Sequence, residues 1–283
     1  MPKHKIAAGF SNDQVWAYYD IGPKTAIPVI CLHGVAGTCE SFYRIFLSLY
    51  PRGYRIISLE YPEYWDFDDW ITGMEVVLDS LDIGRFHLLG STLGAFLALQ
   101  YAKARPDMIE SLILVNGFCD TEHFSTNGSW IKKVIKYVPR FYLKGMILAN
   151  LPTGKIDGEV AQSIDFIVEM MRTIPTRTMA SHLILNSINA DVVELQLSQD
   201  RITLIECLDE VAVPGKLRAQ LRSVFPGARV IFLKEGGNFP FLAKIEEFML
   251  YLLVHLRSME SRRLESATAD AEAEENGNGK ARA

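Results

Sequence analysis

Nowhere does this sequence carry an apolar run long and uncharged enough to cross a bilayer. None follows Met1-Pro2-Lys3-His4-Lys5 either, so no secretory leader is expected. Cysteine is scarce: Cys31, Cys39, Cys119 and Cys207 show no Cys-x-x-Cys spacing. Cys31 and Cys207 lie inside apolar, strand-like runs and read as buried, reduced thiols of a cytosolic protein. Basic blocks are missing as well. With a net charge of −5 the chain is a poor partner for nucleic acid. What is present is ordinary for a soluble globule: 283 residues, 49% hydrophobic and 22% charged. That length suits one large domain with insertions or two small ones.

The apolar pattern predicts an α/β architecture. A β-rich run from Asp13 to Asp20 closes at Gly22-Pro23 and reads as an antiparallel strand or hairpin. Ile27–Leu32, Arg55–Leu59, Phe86–Leu89 and Ser111–Asn116 are short, nearly continuous apolar runs, as strands buried on both faces require. Helical spacing lies between them, after Ser41 and over Asp69–Leu81. The alternation implies a doubly wound, mostly parallel sheet. Between Phe118 and Arg201 the rhythm breaks into successive helical segments, Trp130–Tyr137, Phe141–Ala149, Gly158–Met171 and Met179–Ser187. Strands resume at Ile202–Leu208 and Arg229–Leu233, and a helix from Lys244 to about Met259 closes the fold. The expected division is a core over 1–117 and 202–257, a helical cap over 118–201, and a disordered tail over 258–283, whose Glu, Ala, Asn and Gly offer little to bury.

Phe86-His87-Leu88-Leu89-Gly90-Ser91-Thr92-Leu93-Gly94 reads as strand, tight turn and helix. Its Gly-x-Thr-x-Gly resembles the nucleophile elbow of the α/β-hydrolase fold, where flanking glycines let helix and strand approach. A serine normally stands at the tip; here it is Thr92, a β-branched residue in a position that demands positive φ. Three further stretches match the same frame. His33-Gly34-Val35 follows a buried strand, like the loop that supplies one oxyanion-hole N–H, and Leu93 would supply the other. Asp209 and Glu210 end the strand that carries the triad acid. Gly236-Gly237-Asn238-Phe239-Pro240 stands where the loop bearing the histidine belongs, with Asn238 in the histidine's place.

Tyr61-Pro62-x-Tyr64-Trp65-Asp66, Leu114-x-Asn116-x-Phe118-x-Asp120-Thr121, Ala161-x-x-Ile164-Asp165-Phe166 and the Gly236–Pro240 loop resemble the maspardin (acid-cluster protein) family of the α/β-hydrolase superfamily. The resemblance spans about residues 13–257. It implies a non-catalytic, cytosolic protein, peripherally associated with endosomal and trans-Golgi membranes, that binds protein partners. The family usually keeps serine at the elbow tip, and this chain departs from it at Thr92.

The chemistry agrees with a vestigial site. A hydroxyl attacks an acyl carbon well only when a base takes its proton, and an asparagine amide cannot do so at pH 7. Losing a triad member leaves roughly 10³–10⁴-fold catalysis from binding and the oxyanion hole. Thr92, Asp209, Glu210 and Asn238 are therefore read as vestigial triad positions. His33, Gly34, Val35, Gly90, Leu93 and Gly94 form the oxyanion loop and elbow. A substitute Asp120–His123 pair is disfavoured, because residues three apart rarely aim at a third group. The acidic run Glu60, Glu63, Asp66, Asp68, Asp69 reads as a solvated loop, not a metal site. No cofactor is expected. Tyr61, Tyr64 and Trp65, with Phe67 and Trp70, lie at the ligand end of the sheet and read equally as pocket wall or as core packing. The basic, aromatic stretch from Trp130 to Met146 reads as a solvated cap helix, with a membrane-surface or acidic-partner face as the alternative. Three functions follow in order: a protein-binding adaptor; a receptor for a small apolar ligand under the cap; a weak esterase.

Overall fold

The computed structural model describes residues 2–8, 14–125, 134–152 and 156–280. Eight strands form one sheet: β1 (His4–Ala7), β2 (Val15–Ile21), β3 (Val29–Leu32), β4 (Ile56–Glu60), β5 (Phe86–Ser91), β6 (Ile109–Val115), β7 (Ile202–Cys207) and β8 (Arg229–Leu233). Their order is β1-β2-β4-β3-β5-β6-β7-β8. β2 pairs antiparallel with both β1 and β4, and every other pair is parallel. β1 is a strand the sequence pattern did not announce. Its four residues are largely exposed and carry no alternation, and the register His4 opposite Tyr18 to Ala7 opposite Val15 makes it a strand. The antiparallel strand read over Asp13–Asp20 is β2; Asp13 itself lies outside the described residues.

Helices cover both faces, as parallel strands require. Successive residues of β3 go to opposite sides: Ile30 and Leu32 pack with one core, Val29 and Cys31 with the other. The first core is built on α2 (Phe67–Ser80) and α3 (Leu93–Ala104). Asp66 caps α2 by accepting from the Asp69 N–H at 2.8 Å. The second core is built on α1 (Tyr43–Leu49) and the closing helix. Between β6 and β7 come a single helical turn at Glu122–Ser125, then α4 (Arg140–Leu148), α5 (Gly158–Met170) and α6 (Thr176–Leu185). Of the expected helix over Trp130–Tyr137, residues 130–133 lie outside the described residues and Ile135–Tyr137 is a 3₁₀ turn. α7 (Gly215–Val224) joins β7 to β8.

The closing helix, α8, runs Ile245–Lys280, through most of the stretch expected to lack structure. Glu, Ala, Arg and Leu are good helix formers even where nothing packs on them. Low burial and low helicity are separate properties. Met259 is buried at 4% exposure and Leu264 stands out at 65%, so packing ends where the composition changes while the helix does not.

Candidate functional site

The turn between β5 and α3 carries Thr92 at φ +50°, ψ −111°. Local packing imposes that strain. A Cβ on Gly90 would fall 2.2 Å from the Gly94 carbonyl oxygen, and one on Gly94 would fall 2.1 Å from the Leu32 oxygen. Strand and helix therefore sit at a separation only glycine allows. The Thr92 N–H donates to the Val115 oxygen at 3.0 Å, and its carbonyl accepts from Ala95 and Phe96 at 3.0 and 3.1 Å. These bonds hold a β-branched residue where its side chain alone would not go.

The hydroxyl lies over the oxyanion loop: a Cβ on Gly34 would come within 2.2 Å of Thr92 Oγ1. The backbone N–H groups of Val35 and Leu93 donate to no described protein group, so both remain available to an oxyanion. His33 is fully buried, stacks on Tyr61 at 4.3 Å, and shares a 2.8 Å contact between its Nδ1 and the Gly34 oxygen. Burial pushes its pKa down to about 4, so it is neutral near pH 7.

Asp209, Glu210 and Asn238 each have hydrogen-bond partners of their own. Asp209 accepts from the Gly236 and Gly237 N–H groups at 3.1 and 2.8 Å, so its carboxylate braces the loop that bears Asn238. Glu210 turns back on its own chain and accepts from the Ala212 and Val213 N–H groups at 2.6 and 2.9 Å. Burial lifts its pKa to about 7 against the pull of those N–H groups and Arg218. Asn238 donates from Nδ2 to the Asn150 oxygen at 3.1 Å, a bond to the cap. Its buried Oδ1 has no partner among the described residues. A Thr92–Asn238 hydrogen bond, the natural relic of an acid–base link, is not formed. The cap turn after α4 takes the amide instead.

Thr92, Gly34, Val35 and Asn238 open on one cleft of about 100 Å³ at the carboxyl ends of the strands. Phe118, Phe124, Ile147, Leu151, Leu183 and Phe239 make its walls apolar, while Asn150 and Asn186 join Asn238 as polar points. No histidine lines it among the described residues. Asp120 accepts from the Glu122 N–H at 2.6 Å and from Gln220 at 3.3 Å, which fixes it in turn geometry.

Of the two readings of Tyr61, Tyr64 and Trp65, pocket wall fails: none of the three lines the cleft, and the two tyrosines are core. Tyr61 and Tyr64 are buried with Trp16 and Trp70 in the core beneath the oxyanion loop. The Tyr61 hydroxyl donates to the His33 oxygen at 2.9 Å, and Tyr64 accepts from Trp16 Nε1 at 2.7 Å. Trp65 turns outward under Lys136, whose Nζ lies 4.1 Å from its ring. The strand-end run therefore props the loop from below. Real walls come from the cap, whose register on the sheet no local pattern reveals. Asn116 was also missed as a site residue. Buried at φ +46°, it donates to the Gly237 oxygen at 3.1 Å and accepts from the Cys207 N–H at 2.8 Å, tying β6, β7 and the Asn238 loop.

The acidic run has structural partners. Glu63 accepts from Arg177 Nε and Nη2 at 2.9 and 2.7 Å, clasping α6 to the core. Cys39, Glu40 and Glu60 come close enough together to hold a metal ion. Lys3 Nζ already lies 3.0 Å from Glu40 and 2.7 Å from Glu60, so this cluster carries its own cation.

The model of the alpha/beta hydrolase fold family matches residues 27–145, the stretch from β3 through the elbow into the cap. Maspardin of Danio rerio is 35% identical over 266 residues, covering 93% of this chain and 85% of that protein. The chain belongs to the maspardin family. Human maspardin is likewise 35% identical over 259 residues, covering 90% of this chain and 83% of its own. Among solved structures, a thermophilic esterase from Thermogutta terrifontis superposes with a TM-score of 0.76 at 17% identity, covering 92% of this chain and 99% of that one. At that identity the likeness is one of fold. Within that fold the β5–α3 turn carries Thr92, and the loop after β8 carries Asn238. Among the described residues no helix is long and apolar enough to cross a membrane.

Proposed function

We propose that this chain is a non-catalytic member of the maspardin family, a protein-binding adaptor or regulator working in the cytosol and peripherally at endosomal and trans-Golgi membranes. The observation that carries the non-catalytic reading is Asn238. It occupies the base position, donates its amide to the cap at Asn150, and leaves Thr92 without a proton acceptor. His33 and His182, the imidazoles nearest the loop, are buried and held neutral, and they pack on Tyr61 rather than line the cleft. Family membership supports the adaptor role.

The test is hydrolysis of short aryl esters by the purified chain beside Thr92→Ala. The expected result is no difference between them. Turnover that vanishes in Thr92→Ala, or labelling of Thr92 by a fluorophosphonate, would restore the weak-esterase reading. Co-localisation with endosomal and trans-Golgi markers checks the cellular half, and a purely diffuse distribution removes it.

A second reading is favoured by the buried, unpartnered Oδ1 of Asn238, a residue that lines an apolar cleft. A small apolar ligand with one hydrogen-bond donor would satisfy it. Native mass spectrometry of protein purified from its own cells decides: a retained small molecule, lost in Asn238→Leu, makes the chain a receptor.

A further inference from the structure

α8 buries Phe248, Met249, Leu252 and Leu256 in the second core, and Met259 is buried further along it. Its outward side is not wholly polar: apolar residues stand exposed among the charges. Leu250 is 58% exposed and Val254 45%, with Leu253 half-buried between them. On the neighbouring α1 and the turn after it, Leu47 and Tyr50 are exposed too. A groove of about 300 Å³ runs between the two helices, lined by Ser48 and Arg52 on one side and by Ile245, Glu246, Leu250 and Leu253 on the other.

The order of residues along this stripe says what fits it. Glu246, Leu250, Leu253 and Arg257 recur at four, three and four residues, so they share one helix face. An acid stands at the start, a base at the end, and leucines between. Glu246 makes no ion pair with any described residue. A parallel copy of this stripe would set acid against acid. An antiparallel copy related by a two-fold axis sets Glu246 opposite Arg257 and Leu250 opposite Leu253, and makes each contact twice. The acids Glu246, Glu247 and Glu260 along the same helix disfavour an anionic bilayer as the occupant.

We propose that a second copy of this chain docks here, α8 against α8, antiparallel, as an isologous dimer. The contact lies outside the elbow cleft, and the proposal is independent of whether Thr92 has any chemistry.

Sedimentation equilibrium of the full chain, from low micromolar to about 100 μM, tests it. A reversible monomer–dimer equilibrium is expected. Leu250→Asp, and separately Val254→Asp, should give monomer at every concentration; both positions are exposed, and circular dichroism checks that each variant is folded. Glu246→Arg and Arg257→Glu should each weaken the dimer about tenfold or more, because like charges then face each other twice. The double variant Glu246→Arg/Arg257→Glu should recover wild-type association. A chain that stays monomeric throughout overturns the proposal. So does a dimer indifferent to the single reversals, or one weakened by both and not recovered in the double.

Discussion

Replacing Gly94 with alanine adds one methyl group at the place where α3 crosses the end of β3. Its position is dictated by the backbone, so no rotamer relieves it. It would stand 2.1 Å from the Leu32 oxygen, 2.6 Å from the Leu32 carbonyl carbon and 2.7 Å from the His33 oxygen. Ordinary carbon–oxygen approaches are about 3.3 Å or more, so helix and strand must separate by about 1 Å. Leu93, Phe96 and Leu97 of α3 are fully buried against the same sheet and lose contact as it lifts. Overpacking a core typically costs ~1–3 kcal/mol, occasionally more. With backbone atoms on both sides of the clash the upper end applies, and we expect about 3–5 kcal/mol. Gly90→Ala, whose methyl meets the Gly94 oxygen at 2.2 Å, should behave alike. Thr92→Ser removes one methyl at the strained tip and should stay within about 1 kcal/mol of wild type. Gly145 in α4 is the control: nothing lies within 4 Å of its added Cβ, and Gly145→Ala should stabilise by roughly 0.5–1 kcal/mol. Urea denaturation followed by circular dichroism gives all four, with a midpoint loss of about 1–2 M for the elbow variants. Gly94→Ala within 1 kcal/mol of wild type would refute the claim that close backbone approach forces the elbow.

Stability should fall steeply in acid. Burial holds His33 and His255 down to about 4, and His87 and His182 down to about 3, against an ordinary 6.5. Below pH 6.5 the unfolded chain takes up protons that the folded one refuses, so this stability is present above about 6.5 and lost as pH falls through about 4 and 3. Glu210, raised to about 7, runs the other way between 4.5 and 7, leaving about three protons net and ~4 kcal/mol per pH unit. Equal urea midpoints at pH 7 and pH 5 would contradict this. Truncation after Arg257 removes the buried Met259 and should cost about 1.5–3 kcal/mol, whereas truncation after Glu265 should cost nothing measurable by the same titration. Asp209→Asn weakens two charge-assisted bonds to the Gly236–Gly237 backbone and should cost about 1–3 kcal/mol; an unchanged melting temperature would show that the loop is braced elsewhere.

Sequence alone determined the scaffold. Apolar runs buried on both faces can only be inner strands, and the helical spacing between them can only cover a parallel sheet. Gly90 and Gly94 mark a helix–strand crossing that nothing larger permits. The place of Asn238 was legible too, because it follows in the order elbow, acid, base position. Tertiary structure decided what those residues do now. Asp209 and Glu210 are neighbours in sequence, yet one braces the Asn238 loop and the other caps its own turn, a choice made by which backbone N–H groups the fold brings near. Tyr61 and Tyr64 carry the residue types of a pocket wall, and the packing of Trp16 and Trp70 turns them into the floor under the oxyanion loop. The cleft's true walls, Ile147, Asn150, Leu183 and Asn186, are scattered through a cap whose seat on the sheet is set by contacts far apart in the chain. Local pattern carries periodicity and strain. It does not carry the partner a buried polar atom will find across the fold.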